Sequence, residues 1–315
     1  MASLRRASSR AILEFDPYSM AKPDKIPKPA PVPEPPPEPV VIPMRVSVVV
    51  ITRNQEEALR CTLTSVERSL PREMLEILVV DAGSTDGTRD IEAAYPAIRL
   101  LRTPKNFGWT KSANIGTRTA KGEFLFFIPP GVEIEPDTVA KLMARLDAET
   151  DVTVVCPLEL SSAGQVVGRC YELPTPAQLA ARIKTGQWPM AEGKDFPAGA
   201  PFFIRRQAIV QINYLDEKSY GQFGGDLDLF YQVKRGGRRV VLAEDVPVLV
   251  TTRPTELAAG SDAVDVANGA STYTSKWFGL GPGLLMRLKF ALSLLASFDF
   301  GGFMGVLTWS KTDGQ

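Results

Sequence analysis

The 315-residue sequence contains no histidine, the side chain most often used for proton transfer and metal binding near neutral pH. This absence excludes histidine-based acid–base catalysis and every histidine-ligated metal site. Any catalysis must therefore use carboxylates, hydroxyls, amides or cations. Cysteine is also scarce. The three cysteines, Cys61, Cys156 and Cys170, are odd in number and lack CxxC spacing. They indicate reduced thiols and a reducing compartment rather than a disulfide framework.

The sequence also lacks net charge and long uninterrupted apolar runs. Lysine plus arginine and aspartate plus glutamate both number 36, so the basic footprint of a nucleic-acid-binding protein is missing. Residues 280–309 are strongly apolar, but Arg287, Lys289, Asp299 and several glycines interrupt them, which disfavours a membrane-spanning helix. Two interpretations of this tail stay open: a helix lying in a membrane surface, or a helix packed on the protein's own core.

Proline is concentrated near the start of the sequence, where residues 23–43 hold ten of the 26 prolines. Such a run favours a semi-rigid polyproline II spacer, although a docking segment for an aromatic-grooved module is an alternative. We expect four regions: a polar, disordered N-terminal segment (1–22), a proline-rich linker (23–44), one α/β domain (45–255) and an apolar helical tail (256–315).

Residues 46–81 carry the pattern of a βαβ unit. Val46 to Ile51 is a short run rich in β-branched residues, typical of a strand buried on both faces. Apolar residues at helical spacing follow, and Ile77 to Val80 is a second buried strand. This pattern predicts an α/β fold with a parallel sheet.

Polar residues stand where each of these two strands ends. Thr52, Arg53 and Asn54 follow the first strand, and Asp81 follows the second. Ligands of open α/β sheets bind beyond the carboxyl ends of the strands, so these side chains indicate a binding edge. Asp81 is equally suited to shaping a turn, and that alternative stays open.

Later segments add further candidates. A buried strand from Phe124 to Ile128 ends abruptly at Pro129-Pro130-Gly131. A helix from Asp226 to Arg235 opens with two carboxylates, Asp226 and Asp228, which can act in chemistry or simply stabilise the helix start. The last two strand segments are predicted at 239–243 and 246–250.

Taken together, the order of motifs resembles the family-two nucleotide-sugar glycosyltransferases, and within them the rhamnosyltransferase-like branch. The resemblance spans roughly residues 45–253. Six segments carry it, in the family's order: VSVVVITRNQ, VVDAGSTDGT, KNFGWTKSANIG, KGEFLFFIPPGVEI, GAPFFIRRQAI and FGGDLDLFYQVKRGGRRVVLAED. Six segments in the right order are more specific than any one of them.

This resemblance implies a GT-A fold, which is a mostly parallel central sheet flanked by helices. It also implies an inverting enzyme that moves a sugar from a nucleotide-sugar donor to a hydroxyl of a lipid-linked or polysaccharide acceptor, in the cytoplasm or at the inner face of the membrane. Asp226 would be the general base, with Asp228 and Arg205 on the acceptor side. The donor would be bound by Thr52, Asn54, Asp81, Asn106, Gly108 and Asn114.

The sequence departs from the family at its metal site. The family implies a divalent metal, Mg or Mn, but Pro129-Pro130-Gly131 replaces the acidic ligand that should follow the strand. Positive charge would have to come from Lys105, Lys111, Arg205 or Arg206 instead. A second hypothesis follows: a degenerate module that binds a glycan, a nucleotide or a partner without catalysis.

Overall fold

We analysed a computed structural model of the chain, which describes residues 44–69, 73–185, 191–199, 201–252 and 263–308. The predicted N-terminal segment and all but Met44 of the predicted linker lie outside the described residues. In those residues the strands are β1 (Val46–Thr52), β2 (Leu75–Asp81), β3 (Ile98–Arg102), β4 (Phe124–Phe127), β5 (Val132–Glu133), β6 (Val152–Ser161), β7 (Val166–Gly168), β8 (Phe202–Arg205) and β9 (Arg239–Val250).

The helices of the described residues complete the α/β pattern. They are α1 (Glu56–Val66), α2 (Trp109–Thr119), α3 (Thr138–Ala148), α4 (Pro176–Thr185), α5 (Arg206–Gln211), α6 (Gly225–Arg235), α7 (Ala263–Phe278), α8 (Leu280–Ala296) and α9 (Phe300–Thr308), with a 3₁₀ helix at Gly87–Ala93. The α/β fold class predicted from the sequence is confirmed.

The strands form a single sheet, in the order β3-β2-β1-β4-β8-β6-β9-β5, with β7 paired to β6. One half is parallel, because β1 runs parallel to both β2 and β4, and β2 runs parallel to β3. The other half is mixed, since β8 is antiparallel to both β4 and β6 while β9 is parallel to β6. The carboxyl ends of β1, β2 and β4 therefore meet at one edge of the sheet.

Both faces of the sheet are covered, as the continuous apolar strands predicted. Alternate residues of β1 belong to different cores: Val49 packs in one, while Val48 and Val50 pack in the other. The first core includes residues of α2, α6 and α7, and the second includes residues of α1 and α3. This two-sided burial is the reason that β1 shows no polar alternation.

The last strand differs from its predicted form. Two segments were expected on either side of Glu244-Asp245, but β9 is continuous from Arg239 to Val250. The register against β6 shifts there, because Pro157 lies opposite Ala243 and Leu158 lies opposite Pro247. Glu244 and Asp245 therefore lie in a bulge within β9 and do not separate two strands.

The described part of the predicted apolar tail forms three helices. Of these, α7 is packed against the domain, and eleven of its residues, from Val264 to Thr274, are buried. By contrast α8 buries Gly283, Met286, Phe290 and Ala291 and leaves most of its leucines exposed. None of the helices in the described residues has both the length and the apolar character needed to cross a bilayer.

Candidate active site

A cavity of about 390 Å³ opens where β1 and β4 end. Its polar lining comes from Thr52, Arg53, Gln55, Asn106, Ser112, Glu159, Gln222, Asp226 and Thr252. Aromatic and proline side chains provide much of the remainder, including Trp109, Phe127, Pro129, Pro130, Phe196 and Phe230. Four residues predicted from the sequence to form the site, Thr52, Asn106, Gly108 and Asp226, therefore line one hollow.

Thr52 lines the cavity, and Asp81 lies beside it on the neighbouring strand. They are register partners at the ends of the parallel strands β1 and β2. Thr52 is 2% exposed and Asp81 is fully buried. Thr52 Oγ1 and Asp81 Oδ2 have no hydrogen-bond partner among the described residues, although Arg102 Nε lies 3.4 Å from Asp81 Oδ2. Two buried polar atoms without hydrogen bonds are costly, which is typical of a site built for a ligand.

The other oxygen of Asp81 shapes the turn that follows the strand. Asp81 Oδ1 accepts a hydrogen bond of 2.8 Å from the Ser84 backbone N–H. Asn54 joins this turn from the neighbouring strand end, since its Oδ1 accepts from the Thr85 N–H at 2.7 Å. Asn54 adopts φ +52°, a left-handed conformation that asparagine tolerates better than most residues. The turn-forming interpretation of Asp81 is therefore confirmed for Oδ1, while Oδ2 has no hydrogen bond among the described residues and its role in donor binding stays a prediction.

Gly108 brings a second chain segment against the cavity. Asn106 Oδ1 accepts from the Gly108 N–H at 2.9 Å, which closes a tight turn before α2. Gly108 has φ +87°, and a Cβ there would lie 2.5 Å from the carbonyl carbon of Gly221. Only glycine permits this approach of two backbones, which places Gln222 on the cavity wall.

Asp226 faces the cavity from the first turn of α6. It is half-buried, and its Oδ1 accepts a 2.8 Å hydrogen bond from the Leu227 N–H. The helix cap is Gly224, at φ +93°, so Asp226 does not serve as the N-cap. Its negative charge still suits the positive end of the helix. A carboxylate in a partly dry hollow can accept a proton from a bound hydroxyl.

Asn114 and Arg205 have backbone partners and do not line the cavity. Asn114 is fully buried, donates to the Leu215 carbonyl at 2.9 Å and accepts from the Leu215 N–H at 3.0 Å. Arg205 donates to the carbonyls of Leu146 and Val152. Its β8 position pairs with Phe124, at the start of β4, about 10 Å along the strand from the cavity end.

Asp228 lies two residues after Asp226, on roughly the opposite side of α6, and is 1% exposed. It is the centre of a cluster: Lys276 Nζ donates to it at 2.8 Å and Trp277 Nε1 at 2.9 Å, both from α7. Gln232 Nε2 donates at 3.0 Å, and the Tyr220 hydroxyl lies 3.5 Å away. Burial, together with the charge of Asp228, raises the pKa of Tyr220 far above its ordinary value. This cluster fixes α6, and with it Asp226, to α7.

A second carboxylate of α7 supports the cavity wall. Asp265 is 7% exposed and accepts from the Phe223 N–H at 2.7 Å. Gly221 passes so close to Asp265 that a Cβ there would lie 2.4 Å from its Oδ1. The loop carrying Gln222 and Phe223 is therefore held between α7 and α2.

The residues at the position of the family's metal ligand do not fit a metal ion. Pro129 and Pro130 line the cavity after β4 and offer no oxygen side chain. Gly131 is locked in place, because its carbonyl accepts from the Thr251 N–H at 2.9 Å. Across the described residues, no three histidine, cysteine, aspartate or glutamate side chains cluster as a metal site would require.

Some cavity residues were not assigned a role from the sequence. Arg53 is the one cation among the described lining residues, whereas Arg206, an expected substitute for the metal, donates to the Gly122 carbonyl. Lys105 and Lys111 lie over the ring of Phe107, at 5.4 and 4.0 Å from its centre. Glu159 of β6 also lines the cavity. Because β8 is antiparallel to both β4 and β6, the strands β4 and β6 point the same way, and their carboxyl ends lie at the same edge of the sheet.

Comparison with known proteins agrees with this geometry. The model of the family described as "Glycosyl transferase family 2" matches residues 47–209, which is half of the chain. The chain belongs to this family. A similar protein is YfnE, an uncharacterized glycosyltransferase of Bacillus subtilis, which is 28% identical over 196 residues, covering 58% of this chain and 48% of YfnE. The rhamnosyltransferase-like branch remains a prediction.

A second relative is similar over a shorter stretch. The dolichol-phosphate mannosyltransferase of Pyrococcus furiosus is 25% identical over 115 residues, covering 35% of this chain and 32% of that protein. This chain thus spans about half or less of the length of these two relatives.

Solved structures share the fold at low sequence identity. Residues 1–349 of S. aureus TarS, in complex with UDP-GlcNAc, have a TM-score of 0.54 and 18% identity, covering 85% of this chain and 76% of that chain. The mannosyltransferase PcManGT of Pyrobaculum calidifontis, in complex with GDP-Man and Mn²⁺, has a TM-score of 0.53 and 18% identity, covering 88% and 79%. The GT-A fold expected from the sequence is therefore confirmed.

Proposed function

We propose that this family-2 protein is an inverting glycosyltransferase, which moves a sugar from a nucleotide-sugar donor to an acceptor hydroxyl. The observation that carries the proposal is the shared cavity: the carboxylate of Asp226 faces the same hollow as Thr52 and Asn106, which follow the first and third strands. A donor on the strand ends and an acceptor beside Asp226 would then meet inside it.

In the proposed reaction Asp226 takes the proton of the acceptor hydroxyl as its oxygen bonds to the anomeric carbon. The bond from that carbon to the diphosphate breaks on the opposite side, and the nucleoside diphosphate leaves with the electron pair. The configuration of the sugar carbon is thereby inverted. General-base assistance of this kind contributes roughly 10²- to 10⁴-fold to a rate.

The donor is proposed to lie along the ends of β1 and β2. Asp81 Oδ2 and Thr52 Oγ1, buried without hydrogen bonds, suit polar groups of the nucleotide. Asn106 and Gly108 border its ribose and phosphates, while Asn54 and Asn114 hold the turn and the segment behind them. Arg53 is the lining cation that would stabilise charge on the departing diphosphate, and no step of the proposed reaction passes through a metal.

On the acceptor side, Asp228 is proposed to act by positioning α6, and Arg205 by fixing β8 to β6. Leu227, Phe196 and Phe230 make this part of the cavity apolar. That lining suits a lipid-linked or polysaccharide acceptor used in building the cell envelope. We place the reaction in the cytoplasm, at the inner face of the membrane.

The test is Asp226→Asn, assayed with UDP-, GDP- and TDP-sugars. We expect sugar transfer to fall at least 100-fold while nucleotide binding, measured by calorimetry, stays within about threefold, because the amide cannot take the proton. Asp90→Asn, an exposed carboxylate of the 3₁₀ helix, is the matched control and should transfer normally. Undiminished transfer by Asp226→Asn would rule out the assigned base.

A second function is favoured by Pro129 and Pro130, which stand where family members place a metal ligand. It is a degenerate module that binds a nucleotide, a glycan or a partner without catalysis. Calorimetric titration with UDP, GDP and TDP, with and without Mn²⁺, separates the two. Tight nucleotide binding together with turnover of a donor argues against the degenerate module, whereas binding without turnover supports it.

A further inference from the structure

The C-terminal helices carry an apolar surface that the described part of the chain leaves uncovered. Fourteen large apolar side chains are exposed among the described residues, and eleven of them lie between Phe278 and Leu307. We call this surface the tail face; it comprises Phe278, Leu280, Leu284, Leu285, Leu288, Leu292, Leu295, Phe298, Phe300, Met304 and Leu307. A patch of this composition marks an interaction site rather than ordinary surface.

The tail face has one orientation, set by how α8 packs. Gly283, Met286, Phe290 and Ala291 of α8 are buried against the protein. Leu284, Leu288 and Leu292 follow each other at four-residue spacing on the other side, where they are 69%, 50% and 52% exposed. A helix that packs on protein along one side and presents leucines along the other lies flat against whatever covers it.

The chemistry of the tail face favours lipid over protein. It consists of seven leucines, three phenylalanines and one methionine, without an exposed tyrosine, tryptophan or arginine. Protein interfaces concentrate their binding energy in tryptophan, tyrosine and arginine, and leucine is under-represented there. A bilayer surface, in contrast, accepts leucine and phenylalanine without requiring shape complementarity.

The charges around the tail face suit an anionic or zwitterionic lipid surface. From residue 266 to 308 the chain carries Lys276, Arg287 and Lys289, against the single acid Asp299, and Lys276 is already paired with Asp228 of α6. Lys289 is exposed beside Leu285 and Leu292 on α8. Arg287 instead donates to the carbonyls of Val306 and Leu307, which fastens the end of α9 to α8. No carboxylate of α8 would repel a phosphate headgroup, because α8 has none.

We propose that the tail face binds the surface of a lipid bilayer, with α8 and α9 lying in the plane of the headgroups. The inference rests on the proposed function only for the placement at the inner face of the membrane. The exposed apolar side chains that carry it take no part in sugar transfer. Helix α7 connects this surface to the cavity, since Lys276 and Trp277 at its end hold Asp228 of α6. The bound lipid surface and the candidate base are therefore one helix apart.

The test is sedimentation with vesicles of phosphatidylcholine containing phosphatidylglycerol, without donor or acceptor. The full chain should bind, and Leu284→Gln/Leu288→Gln/Leu292→Gln should lower binding more than tenfold, since glutamine keeps the helix while removing apolar area. The control replaces the three other exposed large apolar side chains of the described residues, Val166→Thr/Val167→Thr/Val210→Gln, which are 43%, 40% and 41% exposed, and should bind as the parent does. Thermal melting of each variant checks that it folds.

Several outcomes would overturn the proposal. One is a parent protein that ignores vesicles, and another is a leucine variant that binds them as the parent does. A parent that instead forms dimers, dissociated by the leucine variant, would make the tail face a self-association surface. Asp226→Asn should bind vesicles normally, so loss of transfer and loss of lipid binding are told apart. With a single exposed lysine on α8, raising the salt concentration should weaken binding no more than about fivefold.

Discussion

Thr52 and Asp81 stand opposite each other at the ends of two parallel strands, and each carries a buried oxygen without a hydrogen bond among the described residues. An unsatisfied buried polar atom costs roughly 1–3 kcal/mol. Thr52 Oγ1 bears this cost at the cavity wall, whereas the ion pair with Arg102 Nε, 3.4 Å away, offsets part of it at Asp81 Oδ2. The folded protein bears this cost in the absence of a ligand. A ligand that donates hydrogen bonds to the pair would recover it on binding, which links the stability of this edge to donor recognition.

Thr52→Val should therefore leave the free energy of unfolding unchanged or raise it by up to about 1 kcal/mol, because no hydrogen bond is lost. The same change should weaken nucleotide binding about 2- to 10-fold, measured by calorimetry. Thr62→Val is the matched control: its buried hydroxyl accepts from the N–H groups of Gly131 and Val132, so it should destabilise by about 1–3 kcal/mol. Equal destabilisation by the two substitutions would contradict the prediction.

Gly108→Ala should destabilise the protein more than its backbone angle alone requires. Gly108 and Gly164 both have positive φ, of +87° and +73°, and alanine in that region costs about 1–2 kcal/mol at either site. At Gly108 the new Cβ would also press on Gly221 and Gln222, whereas nothing lies within 4 Å at Gly164. Urea unfolding should show a larger loss for Gly108→Ala, by about 1–3 kcal/mol, accompanied by weaker donor binding. An equal loss of unfolding free energy for Gly108→Ala and Gly164→Ala would contradict the prediction, because it would mean that Gly221 and Gln222 move aside without an energetic penalty.

Lys276→Met should lower the turnover number more than it weakens donor binding. It removes the cation that pairs with buried Asp228 and so loosens the attachment of α6, where Asp226 sits. The expected destabilisation is about 1–3 kcal/mol, because Lys276 is itself partly exposed. The control is Lys234→Met, which removes a lysine of α6 from a more exposed pair with Asp195. It should cost less than about 1 kcal/mol and leave turnover unchanged. A parallel rise in the donor dissociation constant would instead indicate a general loss of structure.

The stability of the protein should fall as pH rises above 10, in part because of Tyr220 and Tyr273. Burial raises the pKa of both phenols, so the unfolded chain loses these protons near pH 10 while the folded protein keeps them. Each tyrosine then removes about 1.4 kcal/mol per pH unit. Urea unfolding between pH 8 and 11 should show a shallower decline for Tyr220→Phe/Tyr273→Phe. Parallel curves for parent and variant would contradict the assignment. At pH 8 Tyr273→Phe should cost little, since its hydroxyl has no hydrogen-bond partner among the described residues.

Much of the cavity edge was predictable because its signals are local. β1, β2 and β4 show in the sequence as short β-branched or aromatic runs, which burial on both faces requires. A polar residue after a parallel strand must lie at the binding edge, whatever surrounds it. Thr52 reached the cavity for this reason, and Asp81 lies directly behind its wall.

The partners of the other candidates were not predictable from nearby residues. Asn114 bonds to Leu215, 101 positions away, and Asp228 bonds to Lys276 across 48 positions. Arg205 was expected near the acceptor, but β8 runs antiparallel to β4 and carries it to the far end of the strand. Strand direction depends on which chain segments pair, and no short pattern in the sequence records that choice.

The sequence by itself determined that the chain builds an α/β sheet with both faces buried, and that polar groups follow its first two strands. It also limited the chemistry available there to carboxylates, hydroxyls, amides and cations, since the chain has no histidine. Only the tertiary structure decided which of the two carboxylates at the start of α6 faces the cavity, Asp226, and which is held by α7, Asp228. It likewise decided that the leucines of α8 point away from the core. The reason is physical: apolar spacing fixes which residues share a helix face, but long-range packing fixes what that face meets.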